Sequence, residues 1–223
     1  MLTRNGYLLD KKKYNNNFLK VLKEDLTVEP FIPDDYKFGQ DDQLKFPVYK
    51  ENKDYLAIPR MYGIEKIGKP KINFGSKNKA KIKFTGKLRE YQTKIVDTVL
   101  PLIKKEGGGM LSIPPGRGKT VLAIYLASKL KVKVLVLVHK TFLMEQWKER
   151  IEMFTNSSVG KIQRDTVDVN DHDFVIGMIQ SISMKDTYDP ELFHMFDFII
   201  IDEAHHISSK VFSQSLLKMC SPY

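Results

Sequence analysis

Cysteine is almost absent. The 223-residue chain holds one, Cys220, so no disulfide can form within it. That excludes the small disulfide-stapled secreted scaffolds and leads us to expect a reducing, intracellular compartment, cytoplasm or nucleus alike. Long apolar runs are missing too: Val132–Val138 is broken by a lysine and is far too short to cross a bilayer, so no membrane association is expected. Met1–Tyr14 is polar and lysine-rich and lacks the apolar centre of a secretory signal. What is present is 42% hydrophobic and 11% aromatic residues, enough for a real core in one or two domains. Lys and Arg number 36 against 27 acidic residues, a net +9 that points to an anionic partner.

The positive charge is unevenly placed. Met1–Lys87 carries 19 basic and 11 acidic residues, and Leu88–Tyr223 carries 17 and 16. Lys66–Lys87 holds eight lysines and no acid, and Gly68, Pro70, Gly75 and Gly86 prevent it from being one helix. It reads either as a solvated linker or lysine-guarded edge strand, or as a nucleic-acid contact. Two regions are expected: an N-terminal module over 1–87, with the lysine-rich segment 66–87 at its end, and a second domain over 88–223.

The first region gives weak signals. Asn15–Asn17 is polar, and Pro30, Pro33, Pro47 and Pro59 rule out long helices around them. Phe46–Tyr62 is rich in aromatics around a polar turn, which predicts a small β-containing module. In the second region Leu88, Tyr91, Ile95, Val99 and Leu102 recur at helical spacing, predicting a helix over 88–105 with a possible bend at Pro101. Strands are predicted at Met110–Ile113, Val132–Val138, Phe174–Met178 and Phe196–Ile201. Helices are predicted at Lys119–Leu130, Thr141–Phe154 and Ile207–Lys218. Strands apolar on both faces and alternating with helices predict a parallel, doubly wound α/β sheet with helices on both faces.

Two motifs carry chemistry. Pro114-Pro115-Gly116-Arg117-Gly118-Lys119-Thr120 opens a predicted helix, and its glycines let successive N–H groups face a phosphate. The helix N-terminus adds its positive dipole end, Lys119 can reach the β- and γ-phosphates, and Thr120 can ligate Mg²⁺. Ile113 stands where the common pattern has glycine. At the end of a predicted strand, Asp202 and Glu203 suit a Mg²⁺-nucleotide site: Asp202 for the metal's water shell, Glu203 for the attacking water. His205 and His206 alone make a weak zinc site. Trp147 is expected to be a packing anchor rather than a base-stacking platform.

Together, Gly116–Thr120 and the Asp-Glu-Ala-His run Asp202–His205 resemble superfamily 2 helicases and translocases, whose motor lobes are RecA-like. Leu88-Arg89-Glu90-Tyr91-Gln92 looks like the adenine-sensing glutamine element, which implies Arg89 and Gln92 at the nucleotide, with Gln92 on the base. Val136–Thr141 with Gln146-Trp147 resembles the first strand-contacting motif and implies Lys140 and Thr141 on nucleic acid. Gly177–Ser181 resembles the later backbone-holding segment and implies Gln180 and Ser181 there. His205 is implied in coupling. Within the superfamily the chain is similar to the xeroderma pigmentosum group B type and to helicases of large DNA viruses, the poxvirus transcript-release helicase among them.

The resemblance implies ATP and Mg²⁺ as cofactors and nucleic acid as partner, DNA ahead of RNA. It also implies a second motor lobe, because the family's Ser/Thr-Ala-Thr motif and arginine fingers do not occur before Tyr223. The chain is therefore expected to be the N-terminal module and first motor lobe of a longer protein, weak in hydrolysis alone. Two other readings stay open: a non-motor P-loop ATPase subunit, and a nucleic-acid-binding module with a vestigial ATP site.

Overall fold

The computed structural model describes residues 1–29, 45–70, 78–184, 188–205 and 209–223. The chain divides into two compact units, Met1–Phe74 with His205–Cys220, and Gly75–Ala204 with Ser221–Tyr223.

The smaller unit is built from short antiparallel pieces. Strands β1 (Leu2–Thr3) and β2 (Gly6–Asp10) form a hairpin, followed by helix α1 (Asn16–Asp25), β3 (Thr27–Val28), β4 (Phe46–Pro47), β5 (Lys50–Glu51), β6 (Tyr55–Ile58) and α2 (Arg60–Ile67). The main sheet has the order β1-β2-β6-β5, and β3 pairs with β4. Leu9, Leu22, Leu56 and Ile58 are almost wholly buried at its centre. The polar run becomes the start of α1, because the Asn15 side chain caps the helix by accepting from the Phe18 N–H at 2.7 Å. The aromatic stretch is β-containing as expected, with three short strands, but the chain turns helical at Arg60. Gly63 there lies so close to the Tyr7 ring that a Cβ would sit 2.4 Å from Cγ. Pro30 and Pro33 lie outside the described residues.

The larger unit is an α/β layer structure. Helix α3 (Glu90–Glu106) runs through Pro101 without interruption, and α4 (Lys119–Leu130), β7 (Val134–Val138) and α5 (Thr141–Phe154) follow. Next come β8 (Val159–Gln163), β9 (Thr166–Asp168), β10 (Phe174–Met178), α6 (Ile179–Ser183) and β11 (Phe198–Ile201). The sheet order is β11-β7-β10-β8-β9, parallel except for the β8–β9 hairpin. Val134–Val138 is buried at every residue; successive side chains leave opposite faces, so both faces of the sheet are covered. The final helix, α7 (Lys210–Leu216), belongs to the smaller unit; the start expected for it at Ile207 lies outside the described residues.

Met110–Ile113 is not a strand. Leu111 and Ile113 pack on the core, but the outer edge of β11 is taken by Tyr223, which accepts from the Ile199 N–H and donates to the Asp197 carbonyl, both at 3.1 Å. The charge shift at residue 87 and the packing boundary at Phe74/Gly75 fall in different places, since Ala80 and Ile82 sit in the larger unit's core.

Candidate nucleotide and nucleic-acid site

In the parallel strands β7, β10 and β11, Val134 lies opposite both Phe174 and Phe198. The residues leaving their carboxyl ends therefore share one sheet edge: His139–Thr141, Ile179–Ser181 and Asp202–Glu203. Only Lys131–Lys133 separate α4 from the amino end of β7, and both pack in one core. The helix therefore runs back along the strand and points its N-terminus, with Gly116–Thr120, toward the same carboxyl edge. Topology thus brings both motifs to the place where open α/β sheets bind ligands.

The phosphate loop is braced from α3. Gly118 is the residue before α4 and has φ 78°, the left-handed region that favours glycine. A Cβ on it would meet the Gln92 Nε2 at 2.6 Å. Gln92 is buried, its Nε2 donates to the Arg117 carbonyl at 3.2 Å, and its Oε1 accepts from the Arg89 N–H at 2.9 Å. Tyr91 donates its hydroxyl to the same Arg117 carbonyl at 3.1 Å, and the Arg117 guanidinium lies over the Tyr91 ring. So Gln92 is here a strut holding the loop, with both ends of its amide occupied.

A phosphate fits the loop. Gly116 has φ 75°, and a Cβ built on it meets nothing within 4 Å, so the space beside it is open. Pro115, Gly116 and Arg117 are exposed, while Lys119 and Thr120 are half-buried at the helix start. The Lys119 ammonium has no ion-pair partner among the described residues. The first N–H groups of α4 have no carbonyl one turn earlier to bond, so the positive end of the helix dipole and the Lys119 ammonium both favour an anion here.

The acid pair is held by a residue whose role the sequence did not reveal. Trp147 on α5 is 3% exposed, a packing anchor as expected, and its indole N–H also donates to the Asp202 Oδ2 at 2.8 Å. The Asp202 Oδ1 accepts from the Glu203 N–H at 3.0 Å, and Glu203 stands at φ 54°. A non-glycine residue in that region carries strain, which fixed contacts must maintain. A buried tryptophan N–H needs an acceptor, and that rule is the one sequence signal pointing beyond packing.

On the nucleic-acid side the expected residues divide. Lys140 and Thr141 are exposed at the start of α5. Gln180 is exposed and ties two strand ends together, its Nε2 donating to the His139 carbonyl at 2.7 Å. Ser181 faces inward instead: it is buried, and its hydroxyl accepts from the Arg164 N–H at 3.0 Å. Adjacent residues on a helical turn point in different directions, so a dipeptide motif cannot present both side chains alike. His205 is exposed and clusters with the smaller unit; His206 lies outside the described residues.

A phosphate loop and an acid pair on one edge of a parallel sheet define a P-loop nucleotide-binding lobe. The chain belongs to the family described as type III restriction enzyme, res subunit, whose sequence profile matches residues 85–223. A candidate ATP-dependent RNA helicase of Acanthamoeba polyphaga mimivirus is 40% identical over 226 residues, covering 100% of this chain and 43% of that protein. A DNA 3'-5' translocase of Sulfurisphaera tokodaii is 34% identical over 138 residues, 61% of this chain and 29% of that protein. The chain thus spans less than half the length of these relatives. Among solved structures, the SWI2/SNF2 ATPase core of Sulfolobus solfataricus, in complex with dsDNA, aligns with TM-score 0.53 at 21% identity. It covers 67% of this chain and 33% of that one, and the likeness is one of fold.

Proposed function

We propose that the chain is part of an ATP-dependent nucleic-acid helicase or translocase, with its larger unit as the first motor lobe. The carrying observation is the meeting of phosphate loop, acid pair and exposed strand-end residues on one sheet edge. Lys119 and the α4 N–H groups bind the phosphates, and Thr120 and Asp202 would hold Mg²⁺, which would neutralise charge developing in phosphoryl transfer. Glu203 orients the attacking water. Lys140, Thr141 and Gln180 hold the nucleic-acid backbone, a grip that does not read sequence. Gln92 contacts the base by exchanging its bond to Arg117, which links nucleotide arrival to the loop's brace, and His205 couples the two events. DNA is the proposed track, supported by a relative that is a DNA translocase.

Arginine fingers are typically worth about a thousandfold or more in rate. The first lobe needs a second one to supply them, so this chain should bind nucleotide and turn it over poorly. The test is ATP hydrolysis with and without duplex DNA, in this chain and in one extended to the length of its relatives. Stimulation by DNA in the extended chain only, abolished by Glu203→Gln, is expected. Hydrolysis indifferent to any nucleic acid would favour a non-motor ATPase and overturn the proposal.

A further inference from the structure

Residues 78–87 lie in the larger unit and are fastened along their length. The Asn78 N–H donates to the buried Asp197 carboxylate at 2.6 Å, and its side-chain amide reaches the same group at 3.3 Å. The Ala80 N–H donates to the Lys131 carbonyl at 3.0 Å, Lys83 N–H to the Asn156 Oδ1 at 2.9 Å, and Thr85 N–H to the Phe154 carbonyl at 2.9 Å. Ala80 and Ile82 are buried, and Phe84 packs edge-on to Tyr125 and stacked on Phe154. The alternating residues Lys79, Lys81 and Lys83 are therefore turned outward, and all three are exposed. An extended chain sets such neighbours about 6.6 Å apart.

These lysines differ from the start of the run. Lys66 is paired with Asp25 at 3.8 Å, and Lys71 and Lys77 lie outside the described residues. Lys79, Lys81, Lys83 and Lys87 have no ion pair among the described residues, nor has exposed Lys131, whose carbonyl anchors Ala80. The larger unit has twenty basic and sixteen acidic residues, and the five lysines between Gly75 and Lys87 supply all of that excess. Position matters as much as charge. Lys79 bridges to Val132, which leads into the amino end of β7. The row thus borders the sheet edge opposite Thr141, Gln180 and Asp202, about 16 Å away along a five-residue strand. A strand edge guarded for solubility has a free ladder to guard, whereas this segment makes only isolated bridges and packs its apolar side inward.

We propose that Lys79, Lys81 and Lys83, with Lys131 beside them, form a second contact for the backbone of duplex DNA, on the opposite sheet edge from the nucleotide. The inference rests on the nucleic-acid reading above and adds a place where the motor unit holds its track without reading sequence. Each phosphate neutralised contributes about −0.9 to the slope of log K against log salt. Fluorescence anisotropy of labelled duplex DNA, titrated with salt, compares the chain with its K79Q/K81Q/K83Q and K79R/K81R/K83R variants.

The Gln variant should lose about 2.7 from the slope, so that the parent's affinity falls about forty-fold more steeply between 50 and 200 mM salt. The Arg variant should keep the parent slope, and both should keep the parent's Mg²⁺-ADP affinity by calorimetry. A Gln variant with the parent slope overturns the second contact alone. Absence of duplex binding by the parent chain at low salt overturns the nucleic-acid reading and the second contact with it. Loss of binding to polyglutamate with an unchanged duplex slope assigns the row to an acidic protein and likewise overturns the proposal.

Discussion

The two units store their stability differently. In the larger one, β7 and β10 are five-residue strands buried at every position, flanked by helices of 12 to 17 residues. In the smaller one, several strands are two residues long, and a few large side chains such as Leu9 and Leu56 carry the core. A broad sheet can bear a strained turn at its edge, such as that at Glu203, because its centre does not depend on it. A small antiparallel unit has less to lose before it melts. The comparison predicts that core damage in one unit spares the other.

The largest effect should come from Leu56→Ala. Leu56 is fully buried on β6, between two paired strands, and its truncation should cost the smaller unit about 2–5 kcal/mol. Differential scanning calorimetry should show one transition moved down while Mg²⁺-ADP affinity holds. If both transitions moved together, the units would not be separate in stability. Trp147→Phe should cost the larger unit about 1.5–3 kcal/mol, the worth of a hydrogen bond to a charged group. It should also raise the Mg²⁺ concentration needed for ADP binding while leaving Mg²⁺-free ADP affinity alone. A stability loss with an unaltered Mg²⁺ requirement would reduce Trp147 to packing.

Gly118→Ala should cost about 1–3 kcal/mol, because it strains φ 78° and drives a Cβ into Gln92. The loop should distort, so nucleotide affinity, followed by a fluorescent ADP analogue, should drop while the smaller unit's transition stays put. The smallest effect concerns Tyr62, whose hydroxyl donates to the Asp25 Oδ2 at 2.9 Å. Burial, then Asp25, pushes its pKa up to about 12. The folded state favours the neutral phenol, so its stabilisation is present below the ordinary value near 10 and disappears as pH rises toward 12. Ultraviolet titration should find a late tyrosine that Asp25→Asn returns toward its ordinary range.

How much could be read beforehand follows the same division. Val132–Val138 and Phe174–Met178 announce buried parallel strands, and Gly116–Thr120 announces a glycine turn opening a helix, because each depends on local pattern. The hairpin β8–β9 leaves no such pattern: its strands carry Lys161, Gln163 and Asp168, and its turn places Arg164 at φ 51° without a glycine to mark it. Met110–Ile113 reads as a strand from apolarity alone, yet a strand needs a free edge, and Tyr223 holds the one on β11. The bond from Trp147 to Asp202 joins residues 55 apart and leaves no local trace. In the smaller unit, Asn15 looked like part of a polar run and is a helix cap.

Calorimetric titration of Mg²⁺-ADP into the parent chain and into Lys119→Ala tests the account at its centre. Lys119 is an ammonium with no ion-pair partner among the described residues, at the N-terminus of α4, and replacing it should weaken binding by about ten- to a hundredfold, as loss of a charged hydrogen bond does. The two transitions in thermal unfolding should remain where they were. Equal affinity in the two proteins would contradict the placing of the nucleotide in this loop, and with it the motor-lobe reading built on that site.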